Sequence, residues 1–361
     1  MMRRDASMLN AAHDRPRRSR AATFGLLVVA VSVLLILAVL TSVSLGAVHL
    51  PIERVARIAA HHIFGVGPVT WTPVDDQIVW TFRAPRALLA ALVGAALAVS
   101  GAVLQAVARN ALADPYVFGI SGGASVAAVA SLTLGGAVTG GLPLPFAAFT
   151  GAALTTLAVY ALAQSGGRVT PLRLVLSGVA AGYVLSAVTS FLVLRAAGPD
   201  NPLGSVLTWL AGSFGGAQWS YLGVPSVALL LATGWLLARA RAMNALLNGE
   251  EGAISLGVNV QRFRLELFLL TALLVGVSVA VSGAIGFVGL MIPHVARLLT
   301  GSDHRRVLPL CALLGAAFLV TCDVLGRVVI APTELPVGIV TAVFGGPFFV
   351  WLLRRNRRET L

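Results

Sequence analysis

Long apolar runs alternate with short polar stretches along the whole chain. The runs cover 23–50, 85–107, 116–138, 143–164, 171–195, 221–240, 263–284, 288–300, 307–328 and 335–353. Most are about 20 residues long, which is what an α-helix needs to cross a hydrocarbon core of roughly 30 Å. The pattern predicts ten membrane-spanning helices. The run at 288–300 is short and interrupted by Pro293, as expected of a segment that crosses only part of the bilayer. The stretch 200–214 predicts a short helix at the membrane face. The fold class that follows is an all-α polytopic membrane protein. One transmembrane domain occupies 23–355, a leader 1–22 and a tail 356–361.

Composition agrees with lipid as the solvent: 57% of residues are hydrophobic and only 11% are charged, too few to cover a soluble protein of 361 residues. The net charge of +12 would fit a nucleic-acid partner, but all 26 basic residues are arginines and many stand just beyond the ends of apolar runs. Topology accounts for them, and no nucleic acid is implied.

The leader carries Arg3, Arg4, Arg15, Arg17, Arg18 and Arg20 and is expected to be a disordered cytoplasmic tail. The run behind it exceeds the 7 to 15 residues of a signal-peptide core, so it reads as a retained first span. Arg354, Arg355, Arg357 and Arg358 mark the other end. Both termini are therefore expected on the cytoplasmic side, which requires an even number of spans. Cys311 and Cys322 lie in one run, about 16 Å apart along a helix, too far to bridge.

Between the sixth and seventh runs lies an acidic island, "NGEEGAISLGVNV", from Asn248 to Val260. Asn248 is placed to cap a helix, with Glu251 three residues on as in a capping box, and an acidic pair suits the positive end of a helix. Gly257 is placed to end that helix in a left-handed conformation and Asn259 to cap the next one. Two short helices on the cytoplasmic face, about 248–260, are predicted. From the residues alone, an ordinary polar loop is equally open.

Six ordered blocks resemble the FecCD-type permeases, the membrane subunits of ABC importers for iron-siderophores, haem and cobalamin. They are "RAPRALLAALVGAALAVSGAVLQ" (83–105), "RNALADPYVFGISGGA" (109–124), "WLAGSFGGAQW" (209–219), the island, "GAIGFVGLMIPHVARLLTGSDHRRVLP" (283–309) and "ELPVGIVTAVFGGPFFVWLLRR" (334–355). The resemblance implies a FecCD-type fold. It also implies that Asn248, Gly249, Glu250, Glu251, Ala253, Leu256 and Gly257 form the coupling segment that sits on a cytoplasmic ATPase dimer.

Arg83, Arg86 and Arg327 match positions where family members dock a periplasmic or lipoprotein substrate-binding protein. Interfacial anchoring is the plainer reading of the first two, and Arg327 also stands four residues after Asp323, on the same helix face. Asn110 matches a position of the cytoplasmic gate, although a turn-forming asparagine would look the same. Ala111 replaces a usual proline there and leaves Asn110, Asp114 and Pro115 to define the turn.

Glycines such as Gly94, Gly101, Gly123 and Gly289 read as helix-packing positions. His294 reads as a capping or packing residue. His61 and His62 lack companions at metal-ligand spacing, so no metal site is expected. The chain has no lysine and hence no phosphate-binding loop of the Walker type, so ATP belongs to a separate subunit. No catalytic residue and no cofactor are expected, and the chain is not read as an enzyme.

The expectation is an inner-membrane permease working with a second permease copy, identical or similar. It would carry a metal chelate by alternating access, ferric siderophore first, with cobalamin or haem as alternatives. An ion-coupled secondary transporter is the rival of another class, but it should carry buried carboxylates, and Asp323 alone is a thin supply.

Overall fold

The computed structural model describes residues 5–46, 48–135, 140–165, 168–195, 203–247 and 249–356. Helix α1 (Asp5–Ser44) contains the apolar stretch Ala22–Ser44. The leader, expected to be disordered, continues this helix back to Asp5. Alanine and arginine are strong helix formers, and adding turns to a helix already nucleated by a span costs little.

An excursion follows: α2 (Ile52–Phe64) and α3 (Pro73–Asp76), the latter started by a capping box at Thr72. A π-helical stretch, Gln77–Arg83, then feeds α4 (Ala84–Ala108) without a break, with Pro85 in its first turn. Next come α5 (Ile120–Leu134) and α6 (Leu144–Ala163), then a two-strand hairpin of β1 (Gln164–Ser165) and β2 (Arg168–Val169), then α7 (Pro171–Arg195). The short helix expected near 200–214 is α8 (Leu203–Leu210), and α9 (Gly223–Ala238) is the next span.

Helices α10 (Ala240–Leu247) and α11 (Glu250–Ser255) precede α12 (Val260–Ser282), α13 (Val288–Thr300), α14 (His304–Val328) and α15 (Val337–Asn356). Among the described residues, seven helices are long and apolar enough to cross a membrane, and α5, α13 and α15 are shorter apolar helices. Together they account for all ten predicted runs.

Helix α4 is the axis of the bundle. Of its most apolar window 83% is buried, against 11% for α7, so α4 is surrounded by protein while α7 turns its leucines outward. Lipid tails are as apolar as leucine, so close packing rather than water exclusion must hold such helices together. Small residues allow it. A Cβ added at Gly94 would overlap the carbonyl of Gly315 on α14, and one at Gly101 would overlap Gly289 on α13. Gly123 and Gly151 make the equivalent approach between α5 and α6.

At roughly 1.5 Å per residue, the 25 residues of α4 separate its two ends by about 37 Å. Arg83 and Arg86 lie at one end of the bundle and Asn110 at the other.

Candidate functional site

At the end reached by Asn110, the acidic island folds as a short helix, α11, closed at its C-terminal end. Asn248 lies outside the described residues. The N-cap of α11 is Gly249, at φ 97°, with no side-chain cap. That conformation is one only glycine adopts readily, and the acidic first turn stabilises the helix start electrostatically instead.

The other end follows the sequence expectation. Gly257 is left-handed at φ 79°. Its N–H donates to the Ile254 carbonyl at 2.8 Å, and the Val258 N–H donates to the Ala253 carbonyl at 3.0 Å. This bond pair is a Schellman motif, and it satisfies carbonyls the short helix would otherwise leave bare. Asn259 then caps α12, its Oδ1 accepting from the Arg262 N–H at 3.1 Å.

A helix of six residues has little stability of its own. Its tether is Glu250, whose Oε1 accepts from Arg264 Nη2 at 2.6 Å. Arg264 is a buried residue of α12, and its Nη1 donates to the Val169 carbonyl on β2 at 3.3 Å. Ala253 is buried beneath the helix, whereas Glu251, Ile254 and Leu256 are exposed. The outcome is a short rigid knob, apolar with one acid, anchored at its base.

Asn110 follows Arg109, the left-handed C-cap of α4 (φ 49°). Its Oδ1 accepts from the Leu112 N–H at 2.9 Å and its carbonyl from the Ala113 N–H at 3.1 Å, an Asx turn that needs no proline at 111. Asp114 starts the following 3-10 turn by accepting from the Tyr116 N–H at 2.8 Å, and burial pushes its carboxyl up to about 6.

The opposite end holds the three arginines, and it turns them inward. Arg83 is 8% exposed and donates to the carbonyls of Val43, Ser44 and Val48 at 3.0, 2.9 and 2.6 Å. Arg327 is 7% exposed and donates to the carbonyls of Ser42 and Leu45 at 2.9 and 3.0 Å, and to Ser42 Oγ at 2.7 Å. These carbonyls belong to the last turn of α1 and the segment just beyond it. The two arginines therefore complete a helix C-terminus, where cations also suit the macrodipole.

Asp323, fully buried, pairs with Arg327 at 3.2 Å, as its position four residues earlier predicts. It also accepts from Arg86, through Nε at 3.0 Å and Nη2 at 2.9 Å, while Arg86 Nη1 donates to the half-exposed Glu334 at 2.8 Å. Arg83, Arg86 and Arg327, the arginines expected at a docking surface, thus belong to a network that is mostly buried and has one accessible edge, Arg86 and Glu334. Arg83 and Arg327 serve the chain's own carbonyls, and Arg86 its own carboxylates, because a buried, unpaired charge would be far more costly.

On the same side, His62 stacks on Trp80 with centroids 4.3 Å apart and sits 3.0 Å from Asp76, which also accepts from Trp71 Nε1 at 2.9 Å. Trp219 Nε1, in the turn just before α9, donates to the Trp80 carbonyl of the π-helical stretch at 2.8 Å. His294 packs edge-on against Phe348 and Trp351 of α15. Sequence reasoning missed Arg264 and Glu334, each far in sequence from its partner, and no local pattern would have found them.

The FecCD transport family model matches residues 34–355. The uncharacterized ABC transporter permease protein YvrB of Bacillus subtilis (strain 168) is 42% identical over 347 residues, 95% of this chain and 96% of that protein. The vitamin B12 import system permease protein BtuC of Klebsiella pneumoniae is 39% identical over 352 residues, 97% of this chain and 98% of that one. A solved structure described as an inward-facing conformation of a metal-chelate type ABC transporter superposes with a TM-score of 0.76 at 31% identity, covering 91% of this chain and 98% of the other.

Proposed function

The chain belongs to the FecCD transport family and is an ABC importer permease; from that premise we propose that it carries a metal chelate inward across the cytoplasmic membrane. Alternating access would be driven by a separate ATPase dimer docked on α11. The carrying observation is the build of that helix: Schellman-closed at Gly257, tethered through Glu250 to Arg264, and exposing Ile254 and Leu256. A partner that grips Ile254 and Leu256 moves α12 with them, because the ion pair and the closed turn leave little slack. In this orientation the α11 end faces the cytoplasm, Asn110 sits in the gate turn, and the arginine end faces outward.

Two permease copies are proposed to enclose the path, with a substrate-binding protein above. Of the three arginines, only Arg86 is offered to that partner, by exchange of Glu334 for a carboxylate of the incoming protein. Cobalamin is the first cargo to test, because the similar BtuC proteins are named for vitamin B12 import. Ferric siderophore, suggested by the resemblance of the sequence blocks, is the second.

The test is uptake of radiolabelled cobalamin and ferric siderophores in a strain deleted for this chain, complemented with wild type, Ile254→Asp or Leu256→Asp. Accumulation of one chelate with wild type and its loss with either variant at equal membrane abundance is the expected result. Uptake of neither chelate, or unchanged uptake by both variants, would overturn the reading.

A further inference from the structure

A cavity of about 330 Å³ opens at the α11 end, and the coupling role does not explain its chemistry. Gln105, Arg109, Asn110, Arg297, Ser302 and His304 contribute its polar lining. Among the described residues the lining holds no carboxylate, yet it holds two guanidinium groups.

Arg109 has no ion pair or hydrogen bond from its side chain among the described residues, and its Nη2 lies beside Gly249, 3.7 Å from where a Cβ would stand. Arg297 donates through Nη2 to Gln105 Oε1. Gln105 is itself fixed, because its Nε2 donates to the carbonyls of Gly289 and Leu290, both at 3.2 Å. This glutamine is a neutral acceptor, so it orients Arg297 without cancelling its charge.

The neighbouring acid is occupied elsewhere. Asp303 Oδ1 accepts from Asn244 Nδ2 at 2.7 Å and from the Arg305 N–H at 3.0 Å. Asn244 Oδ1 in turn engages His304 through its backbone N–H at 3.0 Å and its Nδ1 at 2.7 Å. Gln105, Asn110 and His304 are thus held by bonds within the protein, while among the described residues neither Arg109 nor Arg297 has an acidic partner. Planar guanidinium groups with free donors match the oxygens of a phosphate, and basic pockets between membrane helices suit phospholipid headgroups.

We infer that this cavity binds a phosphate-class anion between Arg109 and Arg297, supplied as an anionic lipid headgroup or as free phosphate. The anion would link the end of α4 to α13. Its place in the cytoplasmic leaflet rests on the orientation proposed above.

The full-length chain is purified and tested by native mass spectrometry in mixed micelles of phosphatidylglycerol and phosphatidylcholine, and by equilibrium dialysis against labelled inorganic phosphate. Arg109→Asn is the principal variant, since asparagine tolerates a left-handed backbone. Arg109→Asn/Arg297→Gln is the second, and thermal midpoints check that both fold.

Wild type should retain phosphatidylglycerol over phosphatidylcholine, or bind inorganic phosphate. Arg109→Asn should weaken the bound species about fivefold, the weight of one arginine at an anionic surface, and the double variant should lose it. Retention of phosphatidylglycerol alone identifies the lipid, and phosphate binding identifies the free ion. Binding of neither, or equal binding by folded variants, overturns the inference. Labelling of Ser255→Cys from each side of the membrane separately reports orientation, so a wrong leaflet is distinguished from an empty cavity.

Discussion

Arg264 Nη2 donates to Glu250 Oε1 at 2.6 Å, joining a buried residue of α12 to the first turn of α11. The two are fourteen positions apart, and this pair is what converts a marginal six-residue helix into an extension of a membrane span.

Reversing the charge by Glu250→Arg sets two cations against each other at that joint. ATP-driven uptake should fall at least about tenfold, while the stability loss stays near 1–2 kcal/mol because Glu250 is partly solvated. The exchange Glu250→Arg/Arg264→Glu should recover part of the uptake. Transport assays paired with thermal unfolding in detergent check this, and full uptake by the single variant would refute the tether.

Gly257 offers a graded test of the closed turn. Gly257→Ala retains the N–H that reaches Ile254 but strains the left-handed backbone, a cost of about 1–2 kcal/mol. Gly257→Pro removes that donor and demands a negative φ, so α11 should open and uptake should vanish. Limited proteolysis near residue 257 should report the opening directly.

Asp323 sits between Arg86 and Arg327 with no exposure. Asp323→Asn leaves the buried Arg327 without its anion and Arg86 with Glu334 alone, and a loss of about 3–5 kcal/mol is expected. Folded yield from membranes should fall sharply. Glu334→Gln, in contrast, should fold normally and free one edge of Arg86. Under the docking proposal it tightens association with the binding protein at low salt, measurable by pull-down titration, and unchanged affinity would remove Arg86 from that surface.

Asp114 gives a pH signature. Its carboxyl is raised to about 6 by burial, with the Tyr116 N–H opposing. A folded-state value above the unfolded one means the stabilising contribution is complete below about pH 4 and is lost as pH rises through about 6. Asp114→Asn retains the turn-capping acceptor without the charge. It should match wild type near pH 4 and exceed it by about 3 kcal/mol at pH 7, as read from thermal midpoints across that range.

Much of the molecule was legible beforehand because bilayer thickness acts on one segment at a time. Twenty apolar residues announce a span wherever they occur, so all ten runs reappear as helices, and the Gly257 stop and Asn259 cap follow from local backbone chemistry in the same way. Local rules also misled at one point, where Gly249 rather than a side chain begins α11. The sequence by itself determined the spans, the turn chemistry and the family blocks. Only the tertiary structure decided where the arginines spend their charge: Arg83 and Arg327 on the carbonyls closing α1, Arg264 on Glu250, and Arg109 and Arg297 around a cavity whose described lining holds no acid. Periodicity says which residues face lipid, but a buried cation takes whatever oxygen the packing brings within reach, and packing joins residues hundreds of positions apart.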